Sequence, residues 1–190
     1  MSDTIYQVKI ILKGSKPEIW RRILVPANVR LADLHKIIQI AFGWEDAHLH
    51  QFIKNNRFYT VHYPNDPTWY EMDNIDYIRE KMLLADLLMS IKEVLEYEYD
   101  FGDGWMHVIL LEKKLPVDPE VKYPLCLDGK RSGPPEDCGG VWGYAGLLEI
   151  LKNPKHEEYE GYLEWVGKRF DPESFNLDKV NRMFQKLKLH

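Results

Sequence analysis

The residues best suited to chemistry are an acid and an imidazole on the two arms of one predicted hairpin, Asp100 and His107. The stretch reads Leu95-Glu-Tyr-Glu-Tyr-Asp-Phe101, then Gly-Asp-Gly, then Trp105-Met-His-Val-Ile-Leu-Leu111. Asp103-Gly104 suits a two-residue type I′ turn. That register puts Asp100 opposite His107, Tyr99 opposite Val108 and Tyr97 opposite Leu110. Opposed β-carbons lie about 5 Å apart. A carboxylate at that distance orients an imidazole and raises its pKa by stabilising the charged form. The pair is half of a general-base dyad or half of a metal site. The plainer alternative is a half-exposed ion pair on a sheet face. The same register buries Tyr97, Tyr99, Phe101, Met106, Val108 and Leu110 together.

His48 and His50 add a second pair, two apart at the lead-in to a strand, so both are expected on one face. Imidazole suits zinc, copper, iron or nickel. His48, His50 and His107, with Asp103 or Cys138, are the candidate metal ligands, and a divalent ion is the candidate cofactor. Such an ion lowers the pKa of a bound water. The plainer alternative is surface or hydrogen-bonded histidine. Arg21, Arg22, Arg131 and Asp137 are candidates for holding a ligand or phosphate, with Lys13 and Lys16 beside the first two. Arg21 and Arg22 are neighbours on a predicted strand, so they point to opposite faces and at most one serves a given site. No G-x-S-x-G elbow or phosphate loop is present.

The chain has 190 residues, 45% hydrophobic and 29% charged, which fits one globular domain. No run approaches the roughly 18 apolar residues of a membrane span. The first residues lack a basic stretch followed by an apolar core, so a cytoplasmic protein without a membrane partner is expected. Two cysteines, Cys126 and Cys138, are too few for a disulfide scaffold or an all-cysteine zinc site. Net charge is −5, split as +4 over residues 1–60 and −9 over the remainder. That balance does not support a nucleic-acid partner.

The elements that must position these residues follow from periodicity. Residues 5–13 and 18–25 alternate as strands about a turn at Gly14–Pro17. Leu31, Leu34, Ile37, Ile38, Ala41 and Phe42 mark a helix closed by Gly43. Arg30 is a poor N-cap, and His35 is expected at the boundary of the apolar stripe. Asn55-Asn56 suits a type I′ turn between strands at 48–54 and 57–60. Residues 62–82 look like a polar loop or insertion. Leu84-Ala-Asp-Leu87 repeats the Leu31-Ala-Asp-Leu34 helix start, and each precedes a hairpin. Strands first and helices last argue for an α+β fold: a mixed, mainly antiparallel sheet built from hairpins, packed against helices, with a C-terminal helical segment. The expected division of one domain over 1–190 is a hairpin and helix core at 1–113, an ordered Pro/Gly-rich loop at 114–140 and helices at 141–190. Within the last, helices are expected over 146–151 and 157–166, with a third started by Asn176.

Several of these segments recur in order. They are Trp20-Arg-Arg22, Leu31-Ala-Asp-Leu-His35, Gly43-Trp44, His48-Leu-His50-x-Phe52, Tyr99-Asp-Phe-Gly-Asp-Gly-Trp-x-His107, Cys126-x-x-Gly129-x-Arg131-x-x-Pro134-Pro-Glu-Asp137-Cys-Gly-Gly140 and Gly143-Tyr144. The set resembles the plasmid pRiA ORF-three-like family over nearly the whole chain. The resemblance implies a small cytoplasmic prokaryotic α+β protein of a family partly carried on plasmids or mobile elements, with some members labelled passenger or resolvase-like. It implies no catalytic assignment, and the chain has no convincing helix-turn-helix.

Three functions are in play. The first is a binding or regulatory module whose polar His/Asp cluster holds a loop against the sheet. The second is a metal-dependent hydrolase using His48, His50, Asp100 and His107. The third is a nucleic-acid-associated protein using the arginines and lysines above against phosphates.

Overall fold

Alternation of apolar and polar residues builds a sheet that buries one face. The computed structural model describes residues 4–60, 75–77 and 82–189. The strands are β1 (Thr4–Leu12), β2 (Trp20–Pro26), β3 (His50–Lys54), β4 (Arg57–Thr60), β5 (Ile75–Tyr77), β6 (Val94–Tyr99), β7 (Trp105–Pro116) and β8 (Leu125–Lys130). They form one sheet in the order β5-β4-β3-β6-β7-β1-β2-β8. The β4–β5 pair is parallel and the other pairs are antiparallel. The helices are α1 (Leu31–Phe42), α2 (Leu84–Leu87), α3 (Gly140–Leu151), α4 (Tyr159–Val166) and α5 (Leu177–Phe184). The class is α+β, as the sequence predicts.

Cross-strand rows define the two faces. Phe52, Tyr97, His107 and Leu12 lie in one row, and His50, Tyr99 and Trp105 in the next. All are buried, and His35 and Phe42 of α1 pack on His50, Tyr97, Tyr99 and His107. The opposite face carries ion pairs, among them Arg22–Glu112 at 2.7 Å and Lys13–Glu96 at 3.1 Å. A sheet with one dry and one polar face is the usual antiparallel arrangement.

Local signals act as expected at several points. Gly43 closes α1 in the left-handed conformation, φ 84°, its N–H donating to the Gln39 carbonyl. Asn55 and Asn56, at φ 51° and 60°, make the β3–β4 turn. The Asn176 side chain caps α5 by accepting from the Lys179 N–H at 2.8 Å. Arg30 makes no side-chain cap. Instead the two repeated helix starts bond to each other: Leu31 N–H donates to Met82 O at 3.1 Å and Leu84 N–H to Val29 O at 2.9 Å.

Two expectations are corrected. The β6–β7 hairpin closes through five residues, not two, so Tyr99 pairs with Trp105 and Tyr97 with His107. An odd shift of register moves one arm to the other face. His107 and Ile109 are therefore buried, while Met106, Val108 and Leu110 are half-buried on the far face. The Pro/Gly-rich stretch 114–140 is not all loop. It contains the end of β7 and the edge strand β8, and α3 begins at Gly140, six residues before its expected start. Of the loop expected over 62–82, the structure describes only β5 and Met82; the rest lies outside the described residues.

Candidate functional site

The site forms where three segments meet above the β6–β7 turn: residues 44–50 after α1, the turn 99–104, and the loop 134–140. The turn is held by its own acid. Asp100 sits at φ 56°, its carbonyl accepts from Gly104 N–H at 2.6 Å, and its Oδ1 accepts from Gly102 N–H at 3.0 Å. Its N–H donates to Leu49 O at 2.8 Å, which ties the turn to the start of β3. Asp103 Oδ2 accepts from Gly139 N–H at 3.1 Å, which ties it to the loop. Gly140 is required here. A Cβ on it would lie 2.3 Å from Asp103 O, and its φ is +66°.

Aromatic residues latch the same loop from below. Trp44 Nε1 donates to Pro134 O at 3.0 Å, and its ring stacks on Tyr99 with centroids 5.0 Å apart. The Tyr99 hydroxyl accepts from Ala47 N–H at 3.0 Å and donates to the Glu136 carboxylate in a short hydrogen bond. Burial, followed by this carboxylate, raises the Tyr99 pKa. Glu136 also accepts from Glu45 N–H at 3.1 Å.

The candidate ligands separate into two groups. His48 Nε2 lies 3.3 Å from Asp137 Oδ1 and 3.8 Å from Asp100 Oδ2. One ligand atom from each of these three residues falls within 4.8 Å of the others, the only such acid or imidazole trio among the described residues. His50, His107, Asp103 and Cys138 do not join it. Burial pushes the Cys138 thiol up to about 12, helped by Asp103, so at neutral pH it stays protonated and is a poor ligand. The expected Asp100–His107 contact is absent, because the longer turn places the two in different rows.

His107 is fully buried against Phe42, Trp44 and Tyr97. Its Nδ1 donates to Trp105 O at 3.0 Å. Burial lowers its pKa to about 3, so the ring is neutral. His50 is likewise brought down to about 3 by burial and by the adjacent His35. It stacks on His35 with centroids 3.5 Å apart and planes 4° from parallel.

His35 is the residue that sequence reasoning misplaced. It is buried, at 4% exposed, not at a boundary. Nε2 faces the Asp46 carboxylate, which can only accept, so Nδ1 of the neutral ring accepts from the Tyr97 hydroxyl at 2.8 Å, and that hydroxyl also accepts from Gln39 at 3.1 Å. His35 Nε2 donates to Asp46 at 2.6 Å. The missed signal is spacing: Leu31, His35, Ile38 and Phe42 share the apolar stripe at three- and four-residue steps.

Two of the arginines expected to contact phosphate are already paired with acids. Arg22 is bidentate on Glu112, and Arg131 Nη1 lies 2.5 Å from the Glu173 carboxylate. Arg21 is buried under α1. A cavity of about 440 Å³ opens beside Asp137 and Cys138, with Glu157, Glu158, Tyr162 and Trp165 on its far wall. Among the described residues no helix is long and apolar enough to cross a membrane.

Comparison with known proteins follows the same outline. The profile described as plasmid pRiA4b ORF-3-like protein matches residues 4–179. An uncharacterised protein of Sinorhizobium fredii, y4hQ, is 34% identical over 183 residues, spanning 96% of this chain and 91% of that one. The crystal structure of MM3350, a protein of unknown function from Methanosarcina mazei, is 40% identical with a TM-score of 0.83, over 95% of this chain and 99% of that one.

Proposed function

This chain belongs to the plasmid pRiA4b ORF-3-like family, and we propose that it is a binding module that takes a divalent cation on His48, Asp100 and Asp137. The observation that carries this is the convergence of three ligand atoms from three separate segments within 4.8 Å. One imidazole and two carboxylates suit a borderline ion such as Mn²⁺ or Zn²⁺. The outer contacts support the same reading. Asp100 Oδ1 is fixed by the turn amides, which leaves Oδ2 directed at His48. Such anchoring orients ligands in metal sites. The ion would also fasten the 134–140 loop to the hairpin, because Asp137 comes from that loop.

A metal-dependent hydrolase is the second reading. Three protein ligands leave a coordination position open, and Asp137 also borders the 440 Å³ cavity. In this reading His50 and His107 are framework, since both are buried and neutral.

Titration calorimetry with Mn²⁺ and Zn²⁺, with elemental analysis, tests the proposal. One ion per chain is expected, and His48→Ala/Asp137→Asn should abolish it. An unchanged ion content in that variant ends the proposal. Ion-dependent cleavage of a p-nitrophenyl ester, lost with the same variant, would favour the hydrolase over the module.

A further inference from the structure

A second cavity, of about 300 Å³, lies on the helical side of the sheet between the end of α1, the Ser132–Gly133 bend and α5. Arg21 forms part of its wall, although the residue is only 2% exposed. Its guanidinium has neutral partners. Nε donates to Ala41 O at 2.7 Å, and Nη1 donates to Trp20 O and Lys130 O, both at 2.8 Å. The rings of Phe42 and Phe175 cover it at 4.9 and 4.3 Å. No carboxylate comes within ion-pair distance of it among the described residues; the partners of Nε and Nη1 are all main-chain carbonyls.

Carbonyl oxygens and ring faces solvate a cation but do not neutralise it. A buried charge without a counter-ion is costly, and proteins ordinarily pair one. Burial lowers the Arg21 pKa only to about 10, so the group stays charged at neutral pH. Lys179, on the first turn of α5, lines the same cavity and likewise has no carboxylate partner among the described residues. In a chain with 30 acidic residues against 25 basic, this wall holds two cations and no acid. The remaining surface is largely apolar, with Phe170, Phe175 and Met183.

We propose that this cavity is a binding site for a small organic anion, its carboxylate or phosphate lying between Arg21 and Lys179 and its apolar part against Phe170, Phe175 and Met183. The volume is at the low end of small-molecule sites, which fits a metabolite-sized ligand. The site lies apart from the His48 trio and does not depend on the metal reading.

Benzoate, its neutral isostere benzamide and inorganic phosphate serve as probes, followed by amide chemical shifts and thermal denaturation. Benzoate should bind saturably and about tenfold or more tighter than benzamide, the scale of a charged hydrogen bond. Lys179→Ala should weaken benzoate about three- to fivefold, and Lys179→Glu should abolish it. Arg21→Met should remove the preference for the anion; where it fails to fold, the Lys179 variants carry the test. His48→Ala/Asp137→Asn should bind benzoate as wild type does, which separates this site from the metal site. Phosphate binding without benzoate would keep the anion site and assign it the inorganic ion. Equal affinity for benzoate and benzamide, indifference to Lys179→Glu, or no saturation by either anion would overturn the proposal.

Discussion

His48 and His50 stand two residues apart, yet they belong to different physical worlds. His48 is partly exposed, faces two carboxylates and lies at the junction of three segments. His50 is buried, stacked on His35 and held neutral by its surroundings. The rim therefore keeps groups that can exchange partners with solvent, while the floor uses the same chemistry as packing. The contrast teaches that residue type does not identify function here; local dielectric and exposure do.

The contrast can be broken or sharpened by substitution. Trp44→Ala should have the largest effect, because it deletes the ring between Phe42 and Tyr99 and the bond to Pro134. A loss of about 3–5 kcal/mol in denaturant-induced unfolding is expected. A loss under about 1 kcal/mol would mean that the floor does not carry the fold.

The second effect is pH dependence. His107 has a folded pKa of about 3, below its ordinary value. Between that value and about 6.5 the unfolded chain binds more protons than the folded one, so stability falls as pH drops. The facing groups are Tyr97, Arg21, Phe42 and Trp44, none of them an acid. His107 alone should contribute up to about 1.4 kcal/mol per pH unit in that window, and His107→Gln should remove this part of the slope. An unchanged slope would show that the ring already exchanges with solvent.

Tyr99→Phe comes next. It leaves the Ala47 N–H and the Glu136 carboxylate without their shared hydroxyl, with a cost of about 1–2 kcal/mol and faster proteolysis at 134–138. His48→Ala should be smallest, within about 0.5 kcal/mol. A large destabilisation from His48→Ala would erase the distinction between rim and floor.

The sequence made much of this frame legible. The alternation from Leu95 to Tyr99, the helical stripe at 31–42, the Asn55-Asn56 turn and the Asn176 cap are local signals, and the structure keeps each of them; beyond Tyr99 the alternation stops, with Asp100 buried in the turn and Phe101 half-buried, not buried as expected. The register of the central hairpin is not local. Asp103-Gly104 is a sound two-residue turn signal, but Asp100 closes a longer turn with its own carboxylate, and Asp103 is drawn to Gly139, 36 residues away. The edge strand β8 was hidden for a similar reason. Gly129 breaks its pattern because a Cβ there would meet Phe175 at 2.8 Å and Arg21 at 3.0 Å, contacts that exist only in the folded chain. Of the site itself, His48, Asp100 and Asp137 were each legible as candidates. Their grouping was not, since it depends on the loop 134–140 folding back over the turn.

The close fit at Gly140 has a mechanical side. Gly143 is equally tight, since a Cβ there would lie 1.8 Å from Cys138 O. Backbone thus packs directly on backbone at the start of the third helix, with the Asp103 carboxylate on Gly139 N–H as the side-chain tie to the hairpin. A displacement at Trp142, whose residue is 86% exposed, would bear on Asp103 twice, at its carbonyl against Gly140 and at its carboxylate held by Gly139 N–H.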